Sequence, residues 1–184
     1  MSQMIEPHVD RMNKSVQALK DEFNTIRTGR ASASLFDKIR VDCYGDKSPL
    51  SQVATVSIPE ARLVVIQPWD KSLIGEIEKA IQKSELSLNP SNDGKVIRIA
   101  IPPLTEERRK ELAKHAKGVA EQSRVAVRNI RRDANDEFKK VQKEGTITED
   151  ELKSAEDAIQ KETDKHIQEI NKILEDKENE IMEG

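Results

Sequence analysis

The chain has one cysteine and few aromatic residues, and both shortages restrict what it can do. Cys43 alone among 184 residues excludes an intramolecular disulfide framework and a zinc site built from several thiolates. It fits a reducing compartment such as the cytoplasm, and we expect it to be a small buried apolar side chain on a strand. Trp69 and Tyr44 have no interleaved basic residues, which argues against a base-stacking platform. We expect these two aromatic side chains to anchor a folded module.

Long hydrophobic runs are also missing. No segment approaches the roughly 18 to 20 uninterrupted apolar residues that a membrane span requires. The first residues, MSQMIEPHVDRMNK, contain no apolar core of the kind found in signal peptides. We therefore expect a cytoplasmic protein that neither crosses a membrane nor is exported.

Patterns that carry enzyme chemistry are equally scarce. His8, His115 and His166 lie in separate predicted helices without metal-ligand spacing, and no Gly-rich loop ends in Gly-Lys-Ser or Gly-Lys-Thr. His166 falls on or beside an apolar stripe, so we interpret it as a packed histidine rather than a catalytic base. The prediction is a protein that is not an enzyme, with no metal, no cofactor and no small-molecule substrate. A site assembled between two domains remains formally open.

Hydrophobic periodicity divides the chain into three long helices and a β-rich segment. Apolar residues from Ile5 to Ile26 recur every three or four positions, and this first helix is predicted to end at Thr28-Gly29-Arg30, with Gly29 as its left-handed cap. Period-two patterns predict strands over residues 38–43, 53–58, 63–67 and 96–101, with a short helix capped by Ser72 and a loop over 89–94. Thr105 is the predicted cap of a helix to about Lys143, which Gly145 ends. Thr148 and Glu151 form a capping box that starts the last helix.

Each long helix has an apolar stripe that it cannot bury alone, which predicts a bundle. The expected fold is a two-domain α+β protein, L-shaped overall, with an elongated antiparallel three-helix bundle. Residues 1–30 and 105–184 form this discontinuous bundle, and residues 31–104 form a small inserted α+β domain that is β-rich and three-layer-like. Two linkers join the domains and suggest a hinge. The hinge residues are Gly29, Arg30, Ala31, Ser32, Pro102, Pro103, Leu104 and Thr105.

The strongest functional signal is a basic stripe on the second long helix. It consists of Lys110, Lys114, Lys117, Glu121, Arg124, Arg128 and Arg131. The apolar stripe of the same helix, Leu112, Ala116, Val119, Ser123, Ala126 and Ile130, lies roughly 160° to 200° around it, taking about 100° per residue. Residues 108–132 contain nine Lys or Arg but only Glu111 and Glu121 as acids, although residues 146–184 contain thirteen acids and five bases. A solvated face normally mixes both signs, so this stripe predicts contact with an anionic partner.

Several other interpretations of the stripe stay open. Long bundle helices need charged surfaces, so a merely solvated face explains the periodicity as well. A coiled-coil-like scaffold or a chaperone would also have long amphipathic helices, although neither requires an unbalanced arginine face. A sequence-specific DNA-binding protein is less well supported, because no short helix-turn-helix is evident.

Two segments resemble the ribosome recycling factor family of bacteria and organelles. They are Pro102-Pro103-Leu104-Thr105-Glu106-Glu107-Arg108-Arg109-Lys110 and Val125-Ala126-Val127-Arg128-Asn129-Ile130-Arg131-Arg132-Asp133-Ala134-Asn135. Ile26-Arg27-Thr28-Gly29-Arg30-Ala31-Ser32 is similar to the first linker of that family, and Leu88-Asn89-Pro90 to a loop of its inserted domain. The resemblance covers the whole chain.

The resemblance implies a monomeric translation factor that binds the post-termination ribosome. Its implied partners are the large ribosomal subunit, through 23S-type rRNA, and elongation factor G, which with GTP separates the subunits and releases mRNA and tRNA. By motif match, Arg131 is the first candidate for rRNA contact. The other candidates are Arg128, Arg124, Arg132 and Lys117, with Arg27 and Arg30 where the bundle meets the hinge.

Overall fold

The computed structural model describes residues 2–183, and their contacts divide them into two compact units. The bundle unit combines the chain up to Arg27 with Glu106–Glu183, and the insert unit spans Thr28–Thr105. The helices are α1 (Ser2–Asn24), α2 (Ile74–Lys83), α3 (Glu106–Lys143) and α4 (Glu149–Glu183). The strands are β1 (Arg40–Cys43), β2 (Asp46–Pro49), β3 (Ala54–Glu60), β4 (Leu63–Pro68), β5 (Pro90–Asn92) and β6 (Ile97–Ala100). The α+β fold class predicted from the sequence is confirmed.

In the bundle unit, α1, α3 and α4 pack against one another in all three pairs. Arg109 near the start of α3 donates to the carbonyl oxygen of Met182 near the end of α4, so these two helices are antiparallel. Contacts of α1 with α3 also run in opposite directions, from His8 with Glu137 to Ser15 with Ser123. The buried apolar core contains Met12, Val16, Leu19 and Phe23 of α1, Leu112, Ala116, Ala120, Val127, Ile130, Ala134 and Phe138 of α3, and Ala155, Ile159, Ile170 and Ile181 of α4.

The turn between α3 and α4 follows the sequence prediction closely. Gly145 has a φ of 80°, and its N–H donates to the Gln142 carbonyl at 3.0 Å while the Thr146 N–H donates to the Val141 carbonyl at 3.0 Å. These bonds form a Schellman ending, which requires the left-handed conformation that glycine adopts without strain. The Glu151 N–H then donates to Thr148 Oγ1 at 3.1 Å, and the Thr148 N–H donates to Glu151 Oε1 at 3.2 Å. The predicted capping box is therefore confirmed.

The end of α1 was predicted wrongly. The helix stops at Asn24 and not at Gly29, because tighter turns take over. The Thr25 and Ile26 N–H groups donate to carbonyls three residues earlier, and the Thr25 hydroxyl donates to the Glu22 carbonyl at 2.6 Å. These bonds satisfy carbonyls that a helix end otherwise leaves free. Gly29 is left-handed, with a φ of 78°, but it belongs to the connection after the helix.

The insert unit is built on a four-stranded antiparallel sheet with the order β3-β4-β6-β5. Val64 of β4 pairs with Ile99 of β6, and Ile66 pairs with Ile97; all four side chains are buried. Exposed Arg98 lies between Ile97 and Ile99, as period-two alternation predicts. Helix α2 completes the core through the buried side chains of Ile74, Ile77 and Ile81.

Two strands of the insert unit were not predicted. Strand β2 starts directly at Asp46, because Tyr44 and Gly45 both have positive φ, 51° and 91°, and reverse the chain after β1. Such a two-residue turn matches the twist of a hairpin, so β1 pairs with β2 immediately. Strand β5 lies in the predicted loop and pairs with β6 at the edge of the sheet. Pro90 is tolerated there because one side of an edge strand faces solvent, so the N–H that proline lacks is not needed for pairing.

The start of α2 differs from the prediction by its cap. Ser72 does not cap α2; Asp70 instead caps the 3-10 turn before it, because its carboxylate accepts from the Ser72 N–H at 3.0 Å and from the Ser72 hydroxyl at 2.7 Å. A 3-10 turn over Lys71–Leu73 then leads into α2. The Tyr44 hydroxyl also donates to Asp70. Together these bonds, chiefly that from Tyr44, lower the pKa of the Asp70 carboxyl.

Asp93 organises the loop between β5 and β6. Its carboxylate accepts from the Val96 and Lys95 N–H groups, each at 2.9 Å, and from the Arg98 guanidinium at 2.7 Å. These bonds favour the ionised form, so the pKa of Asp93 lies well below its usual range, with the Val96 N–H as the largest cause.

Candidate nucleic-acid interface

The buried face of α3 lies closer to the basic stripe than the sequence indicated. Its buried residues are Leu112, Ala116, Ala120, Ser123, Val127, Ile130, Ala134 and Phe138. Val119 and Ala126, which were predicted to belong to the apolar stripe, are half-buried at the border of this face, while Ala120 and Val127 are fully buried. This part of the prediction is wrong because α3 packs against both α1 and α4, which moves the centre of its buried arc. At about 100° per residue, the basic stripe lies about 110° from that centre and not opposite it.

The lysines in the first half of the stripe point into solvent. Lys110, Lys114 and Lys117 are exposed, and none of them forms a hydrogen bond or ion pair with any of residues 2–183. Arg108 beside them pairs with Glu111 at 2.9 Å, with both side chains exposed. The three lysine ammonium groups therefore add an uncompensated positive charge along roughly two turns of α3.

Arg124 and Arg128 are held by the acid between them and the lysines. The Arg124 side chain is only 17% exposed, and its guanidinium contacts Glu121 Oε2 at 2.8 and 2.9 Å. It also donates to Asn171 Oδ1 of α4 at 2.9 Å. Arg128 is half-exposed and lies 3.7 Å from Glu121 Oε1. Arg124 is thus largely committed to the bundle, whereas Arg128 keeps most of its donors available.

Arg131 ends the basic stripe, and Arg132 lies beside it. Arg131 is half-buried at the border of the packed face, and Arg132 is exposed. Among the contacts made within residues 2–183, neither guanidinium has a hydrogen bond or an ion pair. A guanidinium offers five donors in a planar fork that matches phosphate, and a stiff helix of 38 residues keeps the two in register. Among the arginines on and beside the stripe, Arg131 and Arg132 are therefore best able to bind an anion.

The other two arginines named from the sequence belong to different units. Arg27 is the last residue of the bundle unit before the boundary, and Arg30 follows in the insert unit. Both side chains are exposed.

The residues expected to form a hinge are tied to the insert unit at two neighbouring points. The Ala31 N–H donates to the Ala61 carbonyl at 2.7 Å, and the Ile101 N–H donates to the Arg62 carbonyl at 2.8 Å. Ala61 and Arg62 form the turn between β3 and β4. Residues 102–105 have no regular secondary structure, and neither proline in this segment has an N–H to donate.

The structure corrects the prediction for the aromatic residues. Tyr44 is 80% exposed and Trp69 is 68% exposed, so neither anchors the core of the insert unit. Phe36, Leu50 and the aliphatic strand residues fill that core instead. Cys43 is only partly buried, at the border of the core. Hydrophobic periodicity could not have shown the exposure of Tyr44 and Trp69. Tyr44 lies in a turn and Trp69 directly follows a strand, so neither belongs to the alternating pattern that indicates burial.

Two histidines make polar contacts inside the bundle that the sequence did not reveal. His166 is 2% exposed, which confirms that it is packed, and its Nε2 lies 2.7 Å from Asn13 Oδ1 of α1. His8 is also buried, 2.6 Å from Glu137 Oε2 of α3. His8 lies four residues before Met12, so its place on the seam of α1 was the available signal. These contacts fix how the helices are paired.

Within residues 2–183, no three His, Cys, Asp or Glu side chains are grouped so that they could hold a metal ion. None of the helices over this range is both long enough and apolar enough to cross a membrane.

Comparison with known proteins gives matches over nearly the whole chain. The family model described as ribosome recycling factor matches residues 19–182. The chain is 70% identical over 175 residues to the ribosome-recycling factor of Treponema denticola, which covers 95% of each chain. It is 55% identical over 183 residues to that of Caldicellulosiruptor bescii, which covers 100% of each.

Two solved structures are also similar. A solution structure of the ribosome recycling factor has a TM-score of 0.78 and 45% identity, covering 100% of this chain and 97% of the other. The second is described as models for the T. thermophilus ribosome recycling factor and the E. coli elongation factor G bound to the E. coli post-termination complex. It has a TM-score of 0.64 and 46% identity, covering 98% of this chain and 97% of the other.

Proposed function

The chain belongs to the ribosome recycling factor family, and from this premise we propose that it binds the post-termination ribosome without catalysing a reaction itself. With elongation factor G and GTP, it splits the subunits and releases mRNA and tRNA for a new round of protein synthesis. A structurally similar factor is described as bound with elongation factor G to the post-termination complex, which supports this proposal.

The observation that carries the proposal is the set of unpaired cations on one helix. Lys117, Arg131 and Arg132 have no partner within residues 2–183, although acidic residues are abundant on the neighbouring α4. A folded protein usually pairs such groups or mixes them with acids when they serve only solubility. We assign these three residues, together with Arg128, to contact with the phosphates of large-subunit rRNA. Arg124 acts mainly by holding the stripe to α4.

The linkers supply the movement that subunit separation needs. Hydrogen bonds from Ala31 and Ile101 hold the chain at the β3–β4 turn, which supports a hinge at residues 28–30 and 102–105. Gly29 has the positive φ that a sharp change of direction requires, and Arg27 and Arg30 flank it. In this proposal, the bundle unit stays bound to rRNA while elongation factor G moves the insert unit about this hinge.

The alternative is a scaffold or chaperone whose charged stripe is merely solvated. Such a protein would tolerate charge reversal on the stripe, because its exposed cations would make no contact. The two functions therefore differ in how they respond to a single substitution of an unpaired arginine.

The test is subunit splitting measured by light scattering, with post-termination ribosomes, elongation factor G and GTP. We expect the natural chain to split the ribosomes and Arg131→Glu to fail at the same concentration. Lys153→Glu is the matched control, because Lys153 is exposed on α4 and the substitution changes the net charge by the same amount. Helicity should be equal in all three proteins. Equal splitting by the natural chain and Arg131→Glu would favour a solvated stripe, and no splitting by any of them would favour the scaffold.

A further inference from the structure

The insert unit has a surface cavity of about 490 Å³, and no residue of the basic stripe lines it. This volume lies within the range of about 300–1,000 Å³ that is usual for ligand pockets. The side chains that decide its chemistry are Phe36, Leu50, Ala54 and Val56 as apolar lining, with Trp69 and Asp37. These residues define the Trp69 pocket.

Trp69 is exposed but held in place. Its indole N–H donates to Thr55 Oγ1 at 3.0 Å. The next residue, Asp70, accepts hydrogen bonds from Ser72 and Tyr44. The backbone beside Trp69 is therefore anchored both to the 3-10 turn before α2 and to the β1–β2 turn. An indole that is 68% exposed and also hydrogen-bonded offers accessible ring surface to a ligand without needing to reorganise. Tryptophans of this kind are enriched at binding sites.

Asp37 is the one charged residue among those lining the pocket. Its side chain is exposed, and within residues 2–183 its carboxylate has neither a hydrogen bond nor an ion pair. Its backbone N–H donates to the Ser34 carbonyl at 3.2 Å, which ends the 3-10 turn over Ala33–Phe36 and fixes the position of the residue. The pocket thus combines a carboxylate that has no partner, an exposed indole and an apolar lining, and this combination favours one class of ligand.

We propose that the Trp69 pocket receives an arginine side chain presented by a protein partner. The methylene stem of arginine packs on the apolar lining, its guanidinium stacks on the indole, and its N–H groups donate to Asp37. A nucleic acid fits poorly, because its phosphates would meet the Asp37 carboxylate. A purely apolar ligand would leave that carboxylate desolvated. The inference concerns the insert unit alone and does not depend on ribosome binding.

The full chain can be tested without any ribosome, because its single tryptophan gives one indole N–H signal by NMR. The probes are a pentapeptide with one arginine between glycines and the same peptide with citrulline, which keeps the shape and removes the charge. We expect the arginine peptide to shift the Trp69 indole signal and the Asp37 amide signal saturably. The citrulline peptide should bind about fivefold more weakly or worse, since it lacks both the ion pair and the cation–π contact.

Two variants make the test specific. Asp37→Asn should weaken binding of the arginine peptide about two- to fivefold, the range for an exposed ion pair. Asp42→Asn removes an exposed carboxylate of the same unit outside the pocket and should leave binding unchanged. Equal binding of the two peptides, no response to the arginine peptide, or an unchanged affinity in Asp37→Asn would each overturn the proposal. A larger shift with a hexauridylate RNA would overturn it in favour of base stacking.

Discussion

Glu121 offers a substitution whose effects on stability and on RNA binding should have opposite signs. In Glu121→Gln, the Arg124 guanidinium loses its ion pair at 2.8 Å, and Arg128 loses a weaker contact at 3.7 Å. The Glu121 side chain is 53% exposed, so solvent screens much of this attraction. Arg124 also keeps its bond to Asn171. We expect a loss of about 0.5–1 kcal/mol in the free energy of unfolding, at the upper end for a surface pair.

That loss is small enough to leave the fold intact. For a chain of 150–250 residues, 1 kcal/mol corresponds to a change in Tm of about 2–4 °C, so Glu121→Gln should lower Tm by about 1–4 °C. Glu111→Gln is the matched control, because Glu111 pairs with Arg108 over a similar distance, 2.9 Å, with both side chains about 60% exposed. It should change Tm by less, since neither partner is packed.

The same substitution should strengthen RNA binding. Removing Glu121 takes away the only acid between Lys117 and Arg131 and frees Arg128 to meet a phosphate. One additional phosphate contact makes the slope of log affinity against log salt concentration steeper by about 0.7–0.9. The gain in affinity should therefore be about five- to eightfold larger at 0.1 M salt than at 1 M salt. The assay is binding to isolated large subunits over a salt series, with a steeper slope expected for Glu121→Gln.

A fall in affinity would refute this reasoning. It would mean that Glu121 orders Arg124 and Arg128 for their RNA contacts, so that the loss of order outweighs the gain of charge. An unchanged affinity and slope would mean that Arg128 meets no phosphate even when it is released.

Three further predictions concern stability. Phe138→Ala removes a ring that is 0% exposed and should cost about 3–5 kcal/mol in unfolding free energy, measured by urea denaturation; a cost below 1 kcal/mol would show that the site collapses. Thr148→Ala removes the cap of α4 and should cost about 1 kcal/mol, whereas Thr148→Ser should retain most of the stability by the same measurement. Asp93→Asn should lower Tm at neutral pH, because a depressed pKa stabilises the folded state above the unfolded pKa of about 3.8. That difference in Tm should shrink as the pH falls below this value, and a difference that is constant from pH 7 to pH 3 would exclude the carboxylate as its cause.

Local rules predicted the elements whose ends are marked by their own residues. The Schellman ending at Gly145 and the capping box of Thr148 and Glu151 need no distant partner, so they could be read directly from the sequence. Strands with a strict alternation, such as that of Ile97 and Ile99, were found for the same reason. The family resemblance was visible because its motifs are continuous segments.

The elements that were missed depend on partners far along the chain. Strand β5 is only three residues long and exists because β6 lies beside it. The seam of α3 moved to Ala120 and Val127 because two other helices define its buried arc, and periodicity on one helix cannot specify that. The exposure of Trp69 and the pairing of Arg124 with Asn171 likewise follow from tertiary contacts. Sequence reasoning therefore located the charged face but not which of its cations are free.

The hydrogen bonds that fix both linkers to the β3–β4 turn also bear on how the chain folds. Helices α1 and α3 are separated by residues 25–105, and closing so long a loop is entropically unfavourable. Once the insert unit has folded, Ala31 and Ile101 are held by the adjacent carbonyls of Ala61 and Arg62. The loop that must then close between α1 and α3 contains only about a dozen flexible residues. The logarithmic dependence on loop length makes this difference worth about 2 kcal/mol to bundle assembly. Folding of the insert unit should therefore accelerate formation of a bundle whose core it does not share.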